Sequence, residues 1–456
     1  MTEVQATVEK ARSAARWWGG LSYNERRSRL LAWKRHIARH IGELAALVAE
    51  ETGKPQDDAA LEVMLAVEHL DWAARNAGKV LGRHRVPSGM LAANHVATLE
   101  YLPLGVIGVI GPWNYPVYTP LGSVSYALAA GNAVVFKPSE HTPRTGAWLA
   151  DAWATAVPGE PVLQAVLGDG AVGAELTWSG VDKIAFTGSA ATARKVMATC
   201  AETLTPLVVE GGGKDAMIVA ADADLDAAAR AAAFGGFGNA GQTCAGVERV
   251  YVERSVYPEF LGKLSALAVG EQTMTTPEQP AIVRAHVEDA VSRGGRAVVG
   301  GPSSITASTV APVVLAEVPE DSIAVTEETF GPTLVVNPVD SVDEAVQLTN
   351  ASKYGLAASI FSKDSHGATR IARKLRTGAA SVNAVLGFAG VPSLPFGGVG
   401  DSGFGRIHGA DGLREFSRAQ AVTRQRFAAP MDLMRLDRDP KVMQRALRLF
   451  HFRHGR

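Results

Sequence analysis

Apolar positions recur at two different periods along this chain, and the change from one to the other divides it. In the first stretch the period is helical: Leu30, Ile37, Ile41, Leu44 and Val48 fall on one face until Gly53 interrupts the pattern. Ser22 followed three residues later by Glu25 forms a capping box that opens this segment. From Leu104 onward the pattern changes to short runs that are apolar on both faces, at 106–110, 133–136, 183–186 and 207–209, separated by helix-length segments. Runs of that kind predict a parallel sheet covered by helices, an α/β fold. Further runs at 249–252, 334–336, 357–361 and 379–382, with a capping box at Ser341 and Glu344 between them, predict a second α/β domain beginning near Gly211.

Composition narrows the class. A chain of 456 residues, 47% hydrophobic and 20% charged, is long enough for two or three domains with sizeable cores. A formal net charge of -1 gives no overall field that would draw nucleic acid. Two cysteines make no disulfide framework, which fits a reducing cytoplasm. The first twenty residues are charged throughout and lack the apolar core of a secretory signal. Residues 101–136 carry no charge, yet Pro103, Pro112, Pro116 and Pro120 interrupt them and Asn114 and Asn132 would be stranded in lipid. A buried strand, loop and helix is therefore expected there, not an integral membrane segment. Residues 440–456 are basic and amphipathic, with Leu447, Leu449, Phe450 and Phe452 among arginines. They predict a surface helix or subunit contact, with peripheral membrane contact as the alternative.

The chemistry concentrates in a few loops. Cys244 ends the run Asn239-Ala240-Gly241-Gln242-Thr243-Cys244, a polar, glycine-containing loop after an Ala-rich helical stretch, and a thiolate there can attack a carbonyl carbon. Cys200 sits in a helical apolar pattern and reads as a packed residue. Glu210 closes an apolar run just before three glycines, a setting in which partial burial would raise its pKa toward that of a general base; a carboxylate bonded to nearby N–H groups is the alternative. Asn114, in a loop braced by Pro112 and Pro116, carries an amide that can donate to a developing oxyanion.

Two formal GxGxxG matches, at 236–241 and 398–403, do not follow a strand into a helix and are decoys. The cofactor signal lies instead at Lys137 to Glu140, after a predicted strand, where a lysine and a carboxylate can bond ribose hydroxyls. A second lies at Thr187-Gly188-Ser189, where a helix N-terminus offers N–H groups to a phosphate or simply a helix cap.

Together these segments resemble the aldehyde dehydrogenase superfamily over nearly the whole chain and in the family's order: PWNYP at 112–116, KPSE at 137–140, FTGS at 186–189, the Glu210 glycine segment, NAGQTC ending at Cys244, EETFGP at 327–332 and PFGG at 395–398. The resemblance implies an NAD- or NADP-dependent oxidation of an aldehyde, of a hydrophobic aliphatic or aromatic kind, to a carboxylic acid. Cys244 would form a thiohemiacetal and then a thioester, Asn114 would hold the oxyanion and Glu210 would activate water. Trp113, Lys137, Glu140 and Ser189 would bind the adenosine and pyrophosphate, Glu328 and Phe330 the nicotinamide ribose and ring, and no metal is expected. Lys214 is similar to a family lysine beside the site, with a structural ion pair as the alternative.

The implied architecture is a Rossmann-type cofactor domain (1–82 and 102–210), an α/β catalytic domain (211–394), small oligomerisation or bridging elements (83–101 and 395–435) and a basic amphipathic tail (436–456). The short N-terminus and LPFGGVGDSGFG look most like the class 3 branch and its bacterial relatives, which implies a cytoplasmic homodimer with no nucleic-acid partner. Tyr115 and Tyr118 are candidates for an apolar access path. Three positions depart from the family pattern: Gly211 where leucine is common, which should loosen the backbone beside Glu210, Ala193 in the phosphate turn, and a shorter segment at 271–285. A CoA-acylating aldehyde dehydrogenase, a cofactor-free cysteine hydrolase using His408, and an idle NAD-binding scaffold are the competing readings.

Overall fold

The computed structural model describes residues 2–429, 431 and 433–455; Pro430 and Asp432 of the predicted bridging segment and Arg456 of the predicted tail fall outside them. The chain forms two compact units, a larger one of Met1–Val80 with Pro103–Ser417 and a smaller one of Leu81–Leu102 with Arg418–Arg456.

The larger unit opens with four helices. The capping box forms as expected, Ser22 accepting from the Glu25 N–H and Glu25 from the Ser22 N–H, and starts the helix Tyr23–Arg39. The apolar stripe that continues past it is split at His40 into a second helix, Ile41–Thr52, which Gly53 ends in a left-handed cap at φ 77°. A 26-residue helix, Gln56–Leu81, follows. Trp18 and Trp33 of the first two helices both meet Trp153 edge-on, at ring centroid distances of 5.6 and 5.3 Å, which locks the helical layer to Pro143–Ala156.

Behind that layer lies a 6-stranded sheet in the order Gly403–Phe404, Leu207–Glu210, Lys183–Thr187, Val106–Ile110, Ala133–Lys137, Leu163–Ala165. Its strands are parallel except for Gly403–Phe404, which runs antiparallel to Leu207–Glu210. The chain winds outward from Val106–Ile110 first to one side and then to the other, so the strand order reverses there. The carboxyl ends beside such a reversal are where open α/β sheets take ligands.

A 7-stranded sheet follows, in the order Arg296–Val299, Val313–Ala316, Thr333–Val339, Val247–Glu253, Asp215–Val219, Ala357–Phe361, Ala379–Val382, parallel but for the first strand. Met217, Val250, Val336 and Phe361 bury their side chains in its main core. The helix Val342–Asn350 is capped by half a box: Ser341 accepts from the Glu344 N–H, while the Glu344 carboxylate turns back to the Asp340 N–H instead. In the smaller unit His84–Val86, His95–Pro103 and Ser417–Gln425 make a 3-stranded sheet, and Asn94 ties to Phe427 and Arg426. Among the described residues no helix is long and apolar enough to cross a membrane.

Candidate active site

The helix Leu225–Phe237 ends in a turn, Gly238–Gly241, in which Asn239, Ala240 and Gly241 all adopt left-handed backbone angles (φ 51°, 54° and 70°). Two consecutive non-glycine residues in that region store strain of roughly 1–3 kcal/mol each and persist only where surroundings fix them. Here the surroundings do: a Cβ on Gly241 would run into the Gly331 carbonyl, and Asn239 donates to the Asn114 carbonyl at 3.1 Å. This turn delivers Cys244, which is half-buried.

The Cys244 thiol donates to Glu210 Oε1 at 3.3 Å. Burial pushes the Glu210 carboxyl up to about 7, an effect the thiol hydrogen bond partly opposes. Burial, with the adjacent carboxylate adding to it, also raises the Cys244 thiol well above its ordinary value. The other carboxyl oxygen of Glu210 has no protein partner. The alternative of a carboxylate satisfied by neighbouring N–H groups therefore does not hold.

Gly211 does not loosen the backbone here. Its N–H bonds the Ser402 carbonyl at 3.0 Å, Gly403 pairs with Glu210 across the sheet edge, and a Cβ at 211 would lie 2.5 Å from the Asp401 carbonyl. A side chain would push that segment away, so the glycine permits close packing that pins Glu210. Gly212 and Gly213 serve likewise: a Cβ at 212 would strike the Glu328 carboxylate, and one at 213 would lie 2.5 Å from the Cys244 carbonyl.

Asn114 is buried and donates its amide to the Gln242 carbonyl at 2.9 Å, two residues before Cys244, which leaves a second amide hydrogen on the same nitrogen. Its loop is held from below by a pair that periodicity had not singled out. Lys54 and Glu62 form a fully buried ion pair at 2.7 Å; Lys54 also donates to the Asn114 carbonyl, and Glu62 accepts from the Val117 and Tyr118 N–H groups. The available signal was a charged residue among apolar ones on the helix Gln56–Leu81, with Leu61, Leu65 and His69 at helical spacing.

Two cavities meet at the thiol. One, of about 300 Å³, is lined by Leu61, Leu65, Tyr118, Phe234, Phe388 and Phe396 with Tyr115, Glu210 and Cys244. Among the described residues its only lining cation is Lys54, already engaged, and its lining carboxyl groups are those of Asp58, Glu62 and Glu210. The other, of about 280 Å³, is lined by Trp113, Asn114, Ser189, Gly212, Cys244, Glu328 and Phe330. It adjoins a cleft of about 450 Å³ that also includes Trp113 and Ser189 and adds Lys137, Glu140 and Lys195.

That cleft sits at the carboxyl ends of Val106–Ile110, Ala133–Lys137 and Lys183–Thr187, where the strand order reverses. Ser189 caps the helix Ala190–Thr203, accepting from the Thr192 N–H, so the positive end of that helix faces the cleft. Lys137 pairs with Glu140 at 3.2 Å, Trp113 meets Phe330 edge-on at 5.5 Å, and Glu328 accepts from the Gly213 N–H at 2.9 Å. Burial lifts Glu328 to about 8, with Glu248 adding to the effect. An elongated groove with a helix N-terminus, a lysine–carboxylate pair and an aromatic wall fits a dinucleotide.

Other expectations resolve differently. Lys214 points away, in a buried ion pair with Glu248 and bonded to Thr329 at 2.9 Å, so it is structural. His408 makes no hydrogen bond to Cys244; its ring lies 3.8 Å from that of His69, burial pulls its pKa well down, and its Nε2 has no partner. Among the described residues no cluster of His, Cys, Asp and Glu could hold a metal ion.

The family model described as aldehyde dehydrogenase family matches residues 1–422. The chain is 40% identical over 426 residues to a 4,4'-diapolycopene aldehyde oxidase of Methylomonas, covering 91% of this chain and 80% of that protein. It is 35% identical over 446 residues to a protein of Mycolicibacterium smegmatis provisionally named succinate-semialdehyde dehydrogenase (NADP+), covering 93% and 85%. The crystal structure of an NAD-dependent aldehyde dehydrogenase from Sinorhizobium meliloti is similar with a TM-score of 0.89 and 31% identity, covering 94% of this chain and 88% of that one.

Proposed function

The chain belongs to the aldehyde dehydrogenase family, whose members oxidise aldehydes with NAD or NADP, and on that premise we propose that it converts a neutral, apolar aldehyde to its carboxylic acid through a covalent intermediate on Cys244. One observation carries the reading: Cys244 lines both the apolar cavity and the dinucleotide-sized groove, with Glu210 in hydrogen-bond contact.

Glu210 takes the proton of the Cys244 thiol along the existing hydrogen bond, and the thiolate adds to the aldehyde carbon. The carbonyl electron pair moves to oxygen, where the remaining Asn114 amide hydrogen and the Cys244 main-chain N–H donate to it. Trp113, Lys137, Glu140, Ser189, Glu328 and Phe330 would hold NAD(P)+, which would supply the hydride acceptor needed to take the Cys244 adduct to an enzyme thioester. Glu210, having passed its proton to solvent, then removes one from water as the water attacks the thioester. Collapse of that adduct expels the Cys244 thiolate and frees the acid. A base of pKa about 7 suits this, because it is both ionised and proton-accepting near neutrality.

The cavity chemistry argues for the substrate class. A dicarboxylic semialdehyde brings a carboxylate that needs a cation, and the only lining cation among the described residues is sequestered by Glu62 while Asp58 repels. An aliphatic or aromatic aldehyde instead buries apolar surface against Leu61, Leu65, Phe234 and Phe388, worth about 25 cal/mol per Å². The enzyme acts in this reading as a cytoplasmic homodimer joined through the smaller unit, where Ser417–Gln425 leaves a largely exposed edge strand to be covered.

Stopped-flow absorbance of reduced nicotinamide with octanal, benzaldehyde and succinic semialdehyde, with each cofactor and without CoA, tests this. We expect octanal to exceed succinic semialdehyde in kcat/KM by on the order of 100-fold, a difference of about 2.7 kcal/mol. A signal that requires CoA would replace hydrolysis by acyl transfer, and the reverse substrate order would overturn the apolar reading. Cys244→Ala should abolish turnover with cofactor binding intact.

A further inference from the structure

The helix Pro440–His454 lies beyond the residues that the family match covers, and none of its residues is buried. Asp439 caps it by accepting from the Lys441 N–H, and it contains no Asp or Glu. Val442, Ala446, Leu449 and Phe450 recur at i, i+4, i+7 and i+8, flanked by Met443 and Leu447, so they form one apolar stripe. Leu447, Leu449 and Phe450 are about half exposed, at 49%, 51% and 47%. Lys441, Arg445 and Arg448 recur at i, i+4 and i+7 on a second stripe, roughly a third of a turn away by the 100° step of an α-helix.

We propose that this helix is a docking element for the surface of a bilayer carrying anionic phospholipid. Two features on one helix point to that partner. A helix serving only solubility has no use for a row of half-exposed Leu and Phe, and an apolar stripe bordered by cations without a single acid matches apolar acyl chains beneath negative headgroups. The helix lies in the interface with its stripe in the acyl boundary, Lys441, Arg445 and Arg448 at phosphate level, and Arg453, in the last turn on the apolar face, extending its long side chain toward the headgroups. It does not cross the bilayer, since no helix among the described residues has the length and apolarity to do so. Mixed hydrophobic and electrostatic binding of this kind is reversible and weakens with salt. The inference is independent of the aldehyde chosen above, and its test does not use catalysis as the readout.

The experiment is co-sedimentation of the full chain with vesicles of 70% phosphatidylcholine and 30% phosphatidylglycerol, against pure phosphatidylcholine, at low and high salt. We expect binding at least 10-fold tighter to the anionic vesicles, lost in high salt. Leu449→Glu with Phe450→Glu, and separately Arg445→Glu with Arg448→Glu, should each lower it at least 10-fold, with an unchanged far-ultraviolet circular dichroism spectrum and thermal midpoint as proof of folding. Absence of binding, or binding that both double variants retain, overturns the proposal. So does a change of oligomeric mass by light scattering in those variants, which would make the helix a contact with a second copy of this chain.

Discussion

The Cys244 thiol and the Glu210 carboxylate lie 3.3 Å apart in a largely buried site where two cavities meet. Burial raises the proton affinity of both groups; Glu210 adds to that effect on the thiol, while the thiol hydrogen bond partly offsets it on Glu210, so the shared proton rests on sulfur until Cys244 reacts. The nucleophile is thereby held as a neutral thiol beside a base that is partly ionised near neutrality, and the residue that accepts the thiol proton is the one that later activates water.

Replacing Glu210 by Gln tests both roles. Rapid-mixing kinetics should show a slower burst of reduced cofactor, because the thiol has lost its adjacent base, while steady-state turnover falls by about 10²–10³-fold. In the wild type, kcat limited by thioester hydrolysis should rise with pH through about 7, and the variant should lose that limb. An unchanged profile would remove Glu210 from the base role.

The same raised pKa has a stability consequence of definite sign. Folded Glu210 binds its proton up to about pH 7 whereas the unfolded chain releases it near pH 4.5, so the group's contribution is full below pH 4.5 and is lost as pH rises to 7. Above pH 7 Glu210→Gln, which carries no charge to bury, should be more stable than wild type by on the order of 3 kcal/mol. Denaturant melts at pH 5 and pH 8 check this; equal differences at both would contradict it.

The Lys54–Glu62 pair should matter for folding more than its sequence suggests. Glu62→Ala leaves a buried ammonium and the Val117 and Tyr118 N–H groups without their acceptor, a cost of about 3–5 kcal/mol. Glu62→Gln keeps an acceptor for those N–H groups and should cost less. Urea midpoints order the three proteins, and a Glu62→Ala midpoint equal to wild type would show that the brace is dispensable.

Introducing a cation should shift specificity. Leu61 lines the apolar cavity and is 46% exposed, so Leu61→Arg can keep its guanidinium hydrated while reaching a substrate carboxylate. The ratio of kcat/KM for succinic semialdehyde over octanal should rise at least 10-fold. A ratio that does not move would mean that the cavity end near Leu61 is not where the distal group of the substrate lies.

Acid should weaken the fold through two histidines. Burial lowers the pKa of His69 and of His408, whose rings lie 3.8 Å apart, so the folded protein takes up fewer protons than the unfolded chain below about pH 6.5. Their contribution is present above that pH and lost as pH falls. His69 also bonds the Ala389 carbonyl at 2.9 Å, on the turn lining the apolar cavity. Thermal melts from pH 7.5 to 5.5 should drop more steeply in wild type than in His69→Gln, and parallel curves would exclude the pair as the cause.

The sequence by itself marked several of the strands, because a run apolar on both faces fits a sheet interior. The predicted runs at 106–110 and 357–361 match Val106–Ile110 and Ala357–Phe361, and that at 379–382 matches the sheet-end strand Ala379–Val382, while Asp215–Val219 and Val313–Ala316 went unmarked. It also marked Cys244, Glu210 and Asn114, since a thiol, a carboxylate and an amide in glycine- or proline-bounded loops are types that local packing seldom demands. Only the tertiary structure decided what holds them. Gly211 read as a weak point and is a contact point, because the chain that crowds it comes from residues 401–403, and Lys54 meets the Asn114 loop across 60 residues. His40 split one apolar period into two helices, and Glu344 left its box for Asp340, where competing partners of equal local merit were available. Periodicity records which face of a segment is buried; it carries no information on which distant backbone arrives to bury it, and the chemistry of this site depends on that arrival.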